Sequence, residues 1–267
     1  MGLGRAIAEA LVRRGARVVL AARSADTLRD VADGLIAAGA RADAVLPFPA
    51  DVTRPEDRAD LLQHASDAFG GALDLVVNNA GIGAYGRFES HDESVARRVF
   101  EINVFALMEM TRATLPMLRK GRAPALCNIG SIVARRGLPG RSEYSASKFA
   151  VAGFTEAIRA EWRRDGINVL LVNPGFTNTE FEKNLAIDTA VYKTDHRRTM
   201  TPESVAAKTL KALEQGKSEV TLSGPGRFLL LANRVAPRFV DWGLGRWTRR
   251  LYANAEALAK VESSNPS

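Results

Sequence analysis

The chain has 267 residues, 46% of them apolar, and carries 37 basic against 30 acidic side chains for a formal charge of +7. That is enough to bury a full core, and the length suits one large α/β domain better than two small ones. Apolar runs of about 18 or more residues and a basic-then-apolar leader are both missing from the sequence, so the expectation is a cytoplasmic protein. The lone cysteine, Cys127, sits in an apolar run and reads as a buried inert thiol. His64, His91 and His196 lack metal-ligand spacing and are expected as surface or helix residues with no metal role. The basic excess is spread without aromatic interleaving or a recognised nucleic-acid motif, so no nucleic-acid partner is expected.

Helical periodicity begins at residues 4–14, with Gly2-Leu3-Gly4 at its start. Glycine there lets the backbone approach a phosphate, and a helix N-terminus supplies unpaired amides. A strand at 17–22 runs into Ala22-Arg23-Ser24. A dinucleotide site for NAD would offer the ribose hydroxyl a carboxylate at this place. A guanidinium fits a 2′-phosphate instead, pointing to NADP, unless Arg23 is a solvated loop charge. Further strands are predicted at 44–50, 73–77, 125–129, 168–173 and 219–223, alternating with helices at 25–38, 55–69, 92–119, 144–164 and 202–215. That rhythm predicts a doubly wound parallel sheet with helices on both faces, its ligands bound outside the carboxyl ends of the strands. Only the tail after Val261 reads as disordered.

Tyr144-Ser145-Ala146-Ser147-Lys148 carries the chemistry, with Ser131 thirteen residues upstream at the end of the 125–129 strand. Apolar residues at Val151, Phe154, Ile158 and Trp162 give helical spacing, so Lys148 lies one turn on from Tyr144 on the same face. A cation near the phenol favours the phenolate, which makes Tyr144 a plausible general acid/base and Lys148 its expected activator. By itself Tyr-x-x-x-Lys is weak, since a helix-start aromatic and a solvated lysine make the same pattern. The strand ending in glycine and a hydroxyl strengthens it.

These residues together resemble the short-chain dehydrogenase/reductase family over about the first 220 positions. Beside Ser131, Tyr144 and Lys148 stand Asn78-Asn79-Ala80-Gly81, Asn103 in Glu101-Ile102-Asn103-Val104, Asp51-Val52 and Pro174-Gly175, all in the family's order. The resemblance implies a Rossmann-like α/β fold and a catalytic set of Asn103, Ser131, Tyr144 and Lys148. It further implies cofactor contacts from Gly2, Leu3, Gly4, Arg23, Asp51, Val52, Asn78, Ala80, Gly81, Tyr144, Lys148, Pro174, Gly175, Thr177 and Thr179. Asn-Asn-Ala-Gly and Pro-Gly also make ordinary turns, and their joint spacing outweighs that reading. In the family's mechanism Tyr144 gives a proton to the carbonyl oxygen and Ser131 hydrogen-bonds it. Lys148 holds the nicotinamide ribose, and Asn103 orders a water behind Lys148. A homodimer or homotetramer is the family's usual assembly.

Two features depart from that pattern. The family's chains begin with a central strand and a first glycine ahead of the motif that starts here at Gly2, so a start upstream of Met1, or a truncated form, is expected. Loss of a central strand would leave unpaired backbone groups on both neighbours and a chain that folds poorly. Residues 224–267 form an extension beyond a domain at 1–223. Phe228, Leu231, Val235, Phe239 and Trp242 repeat at helical spacing, with Pro237 set to break the helix and six arginines against one acid between 227 and 250. A lid or subunit contact and a membrane surface through 227–252 both fit. Apolar residues flank the tetrad, namely Ile82, Val133, Leu138, Phe176 and Phe181. The expected function is NADP(H)-dependent reduction of a hydrophobic ketone or aldehyde, or oxidation of the alcohol, with no metal. A non-catalytic dinucleotide-sensing or scaffold protein of the same fold is the alternative.

Overall fold

The computed structural model describes residues 2–178, 180–189 and 199–264. Its eight strands are β1 (Val18–Ala22), β2 (Val45–Pro49), β3 (Leu75–Asn78), β4 (Gly83–Tyr85), β5 (Ala125–Ile129), β6 (Asn168–Asn173), β7 (Leu185–Asp188) and β8 (Glu219–Thr221). The main sheet runs β3-β5-β6-β8, all parallel, with Cys127 opposite Leu170 and Ile129 opposite Val172. β1 and β2 pair separately, also parallel, and β4 with β7 makes a small third ribbon.

Every residue of β5 is buried, as a parallel strand covered on both faces requires. Its side chains alternate between two helical layers. Cys127 and Ile129, with Leu170 and Val172 of β6, pack on Ala6 and Ile7 of α1 (Leu3–Val12) and on Val205 and Ala206 of α7 (Pro202–Glu214). On the opposite face, Leu126, Val169 and Leu171 meet α5 (Ala106–Leu118) and α6 (Ser142–Glu161) through Leu107, Leu118, Val151 and Ile158. α2 (Ala25–Ala37) covers β1 and β2 through Val31, Ala32 and Leu35, and α3 (Pro55–Phe69) starts on a proline at its first turn. Burial pushes the Cys127 thiol up to about 12, so it remains protonated and inert.

The predicted 92–119 helix is interrupted. α4 (Glu93–Phe100), capped by the Asp92 carboxylate on the Ser94 amide at 2.8 Å, passes into a π turn at Glu101–Phe105 before α5 begins. π turns admit one extra residue and concentrate at functional positions, and this one holds Asn103. Pro237 divides the extension as expected: α8 (Gly224–Val235) ends at Ala236, whose φ/ψ of −137°/63° is not helical, and α9 (Pro237–Ser264) begins. α9 carries helix past Val261, where the sequence suggested a disordered tail. The β4 and β7 ribbon was not anticipated, because three and four residues are too short for a periodic signal. His196 lies outside the described residues.

β1 and β3 face a common cavity lined by Val18, Val19, Leu20, Leu75, Val76 and Val77, and among the described residues neither has a strand partner on that side. α1 spans the two pieces of sheet. Ile7 belongs to the cluster on the main sheet, while Val12 packs with α2, Val18 and Val45.

A buried polar chain fastens the main sheet to the helices over it. Asn78 Nδ2 donates to Asn128 Oδ1 at 2.9 Å and to Thr111 Oγ1 at 3.0 Å, and Asn128 Nδ2 donates to Thr155 Oγ1 at 2.9 Å. We expect Asn128→Ala to lower stability by about 1–3 kcal/mol, since two buried hydrogen bonds are lost at a fully enclosed site. Urea unfolding measures it, and an unchanged midpoint would show that the chain contributes nothing.

Candidate functional site

The site forms where β3, β5 and β6 end. Ser131 follows β5 in extended backbone, φ −169°, and its Oγ accepts from the Val133 amide at 3.3 Å, turning the chain into a short helical turn at Ile132–Ala134. Tyr144 and Lys148 lie on the first turns of α6, buried to 8% and 4% exposure. Lys148 Nζ donates to the Ile129 carbonyl at 2.8 Å, the last residue of β5, and lies 5.8 Å from the Tyr144 ring centre. Ser131 lies near enough to the Tyr144 hydroxyl to lower its pKa. The Tyr144 and Phe181 rings pack at 5.6 Å between centres.

Electrostatics at the phenol differ from the expectation. Burial raises the Tyr144 pKa above its ordinary value, and the hydrogen bond from Ser131 and the charge of Arg141 pull it partly back. Lys148 stands beside the phenol on the next turn of α6. Its own pKa is lowered to about 8 by burial, and its ammonium turns to the strand carbonyl. The nearby guanidinium of Arg141, three residues before Tyr144, is itself enclosed at 5% exposure, 4.0 Å over the Tyr85 ring and 4.8 Å over Phe176, with Nη1 3.1 Å from the Tyr85 hydroxyl.

Asn103 lies a layer behind, fully buried. Its Oδ1 accepts from the Ile82 amide at 2.8 Å, and its Nδ2 donates to the Ile82 carbonyl at 2.9 Å and Ser147 Oγ at 3.0 Å. It thereby holds the 78–82 loop against α6. A Cβ on Gly81 would stand 3.1 Å from Asn103 Oδ1 and 3.7 Å from Lys148 Nζ, so glycine is what permits this approach.

A single cavity of about 1270 Å³ takes in Gly2, Leu3, Gly4, Arg23, Asp51, Val52, Asn78, Ala80, Gly81, Ser131, Tyr144, Lys148, Pro174, Gly175 and Thr177, together with the space between β1 and β3. Thr179 lies outside the described residues. These residues fit a nicotinamide dinucleotide. The N-terminal cap of α1 at Gly2 is open, with nothing within 4 Å of where a Cβ would stand. A Cβ on Gly4 would come within 2.7 Å of the Asn79 side chain, and one on Gly175 within 2.7 Å of Ser223, so both positions hold backbone close to its neighbours. Burial works against the Asp51 carboxylate, but hydrogen bonds from the Thr53 amide and hydroxyl, at 3.0 and 2.7 Å, and the charges of Arg23 and Arg54 hold it below the ordinary carboxylate range. Arg23 itself is exposed at the cavity rim just after β1.

Of the apolar residues expected beside the tetrad, Ile82, Val133, Phe176 and Phe181 line the cavity. Leu138 instead packs on the Ile132, Val133 and Tyr144 cluster from outside. His91, expected at the surface, is enclosed: its side chain is 1% exposed, with Nδ1 2.7 Å from Glu143 Oε1. Tyr85 and Arg141 were not singled out from sequence. Arg141, nearly one helical turn before Tyr144, had the spacing to be noticed; Tyr85 carried no signal. Among the described residues no group of three or more His, Cys, Asp or Glu side chains could hold a metal ion.

The sequence pattern of the family described as short chain dehydrogenase matches residues 1–190. The chain is similar to a ketoacyl reductase, HetN, of Nostoc sp., at 32% identity over 252 residues, covering 92% of this chain and 85% of the relative. It also resembles the crystal structure of a short chain dehydrogenase from Burkholderia cenocepacia in complex with NADP, at 30% identity and TM-score 0.75, covering 91% of this chain and 92% of that one. A short chain dehydrogenase/reductase from Burkholderia phymatum in complex with NAD gives 25% identity and TM-score 0.79, covering 89% and 91%. With its parallel sheet, its tyrosine and lysine on one helix and this span of matching sequence, the chain belongs to the short-chain dehydrogenase/reductase family and is an oxidoreductase.

Proposed function

We propose that the protein uses NADP(H) to interconvert a hydrophobic ketone or aldehyde and its alcohol. The observation that carries this reading is the buried Tyr144 side chain close to Ser131, with the Lys148 ammonium one helical turn away. The nicotinamide cofactor supplies the hydride when bound.

A phenol with a raised pKa is neutral at physiological pH, so Tyr144 carries the proton that a nascent alkoxide needs. Ser131 holds the same oxygen, and the two donors stabilise the charge that develops on it. When Tyr144 gives up its proton, the Arg141 guanidinium supports the phenolate. Lys148 and the amides at the start of α1 are suited to the cofactor's ribose and phosphates. Arg23 supports NADP over NAD, since a guanidinium after β1 pairs with a 2′-phosphate where a carboxylate would repel it. Ile82, Val133, Phe176 and Phe181 favour an apolar substrate, in keeping with the ketoacyl reductase named among the relatives.

Replacing Tyr144 with Phe is expected to lower kcat about 10²–10⁴-fold while NADPH binding, followed by fluorescence titration, changes little. Retained turnover would remove the tyrosine from the chemistry. For Arg23→Asp we expect the kcat/KM ratio of NADPH to NADH to fall at least about tenfold, and an unmoved ratio would return Arg23 to the status of a loop charge. Lys148 gives a stability prediction. Burial lowers its folded pKa to about 8 from 10.5, so above pH 8 the unfolded chain holds a proton that the folded one has lost. The penalty for burying the cation is therefore complete below the folded pKa and disappears as pH rises through the unfolded value. In urea titrations of the cofactor-free protein across that window, wild type is expected to gain up to about 3 kcal/mol relative to Lys148→Met. Parallel profiles would mean that the ammonium is not desolvated.

A further inference from the structure

α8 and α9 carry an apolar surface that the domain leaves bare. Phe228, Leu231 and Val235 on α8 are 74%, 61% and 76% exposed, and Phe239 and Trp242 on α9 are 68% and 57% exposed. Of the eleven large hydrophobic residues exposed among those described, six fall between Phe228 and Trp247, so the bare apolar surface is concentrated on this pair of helices. Phe239 and Trp242 stack on one another at 5.7 Å, and the Arg246 guanidinium lies 5.9 Å from the Trp242 ring centre.

The surface is firmly seated. Leu222 and Val240 are buried, a Cβ on Gly226 would come within 2.8 Å of Ile132, and Arg136 donates to Asn233 Oδ1 at 2.9 Å while pairing with Asp241. The helix pair therefore rests on the loop that follows Ser131. Its bare face is fixed by the domain's own packing.

Charge selects the occupant. Arg227, Arg234, Arg238, Arg246, Arg249 and Arg250 are all exposed, and among the described residues none of the six pairs with an acid. Asp241, the single acid in that stretch, is already engaged by Arg136. A second copy meeting this face through a two-fold axis would bring arginines toward arginines. An anionic lipid surface meets both requirements, because its headgroups take the guanidinium groups while its acyl boundary takes the phenylalanine and tryptophan rings. No helix among the described residues is long and apolar enough to cross a membrane, so the contact is interfacial. We propose that the α8–α9 pair is a membrane-contact surface that seats the protein on an anionic bilayer, with Phe228, Val235, Phe239 and Trp242 entering the headgroup boundary and the arginines at phosphate level.

The test is flotation of the full-length protein with vesicles of phosphatidylcholine alone or mixed with phosphatidylglycerol, at low and high salt. Wild type should float with the mixed vesicles, least at high salt. The F228S/V235S/F239S/W242S variant and the R227E/R234E/R238E variant should each float at least about tenfold less. All four apolar positions are on the surface, and circular dichroism together with thermal melts of each variant confirms that the fold is kept. Equal flotation of wild type and variants, or none by wild type, would overturn the proposal. So would a smaller assembly in light scattering for the serine variant, which would make the face a contact between copies. Turnover in solution is unaffected by either result, so this test stands apart from that of the catalytic reading.

Discussion

The hydrogen bond from Lys148 Nζ to the carbonyl of Ile129 fixes the geometry on which the catalytic centre depends. It ties the start of α6 to the last residue of β5. Tyr144 is one turn back along that helix and Ser131 is two residues beyond that strand, so one contact registers both hydroxyls on each other. The arrangement is expensive in isolation, because a nearly dehydrated ammonium rests on a neutral acceptor and burial lowers its pKa to about 8. Such a placement serves stability poorly. It is retained by the surrounding core, in which Val151, Ala152 and Leu171 are essentially inaccessible and leave the helix no room to turn the lysine outward.

Behind this contact, polar residues do the work of alignment without touching the cavity. Asn103 takes both backbone groups of Ile82 and the hydroxyl of Ser147, which in turn donates to the Tyr144 carbonyl at 2.8 Å. The loop after β3, the π turn and α6 are thus coupled through one amide side chain. The wider turn at Glu101–Phe105 is the backbone's accommodation of that amide, since a regular helix would carry position 103 to a different bearing. An apolar residue there would leave the Ile82 amide and carbonyl unpaired in the core, so the asparagine is required by its neighbours as much as by chemistry.

Much of this was legible in the sequence, for identifiable reasons. Continuous apolar runs such as Ala125–Ile129 mark strands covered on both faces, and strand end and helical spacing single out Ser131, Tyr144 and Lys148, a weak pattern until the family's other motifs are set beside it. What periodicity could not reveal was set by tertiary contact. Asn103 reads as an interior polar residue on one long helix, and nothing local announces the π turn. Gly83–Tyr85 and Leu185–Asp188 are too short to pattern, and they pair only because the chain between them returns. His91 looks like any surface histidine until Glu143 is found beside it. Where the Lys148 ammonium turns was likewise beyond the reach of spacing. The ammonium donates to the strand carbonyl of Ile129, and the Arg141 guanidinium also lowers the Tyr144 pKa.

The cavity that holds the tetrad also runs along β1, so its lining comes from two parts of the described sheet. The tetrad belongs to the main sheet and its helices, whereas Arg23 follows β1, in the β1–β2–α2 unit. Coupling falls largely to α1, whose Ala6 and Ile7 pack on β5 and β6 while Val12 packs with α2 and β2. Its N-terminus, at Gly2, opens into the cavity between them. A ligand that reaches the start of α1, Arg23 and Lys148 together would contact both parts of that lining at once. Its binding free energy would add to the stability of the folded chain, because the three contacts come together only in that state.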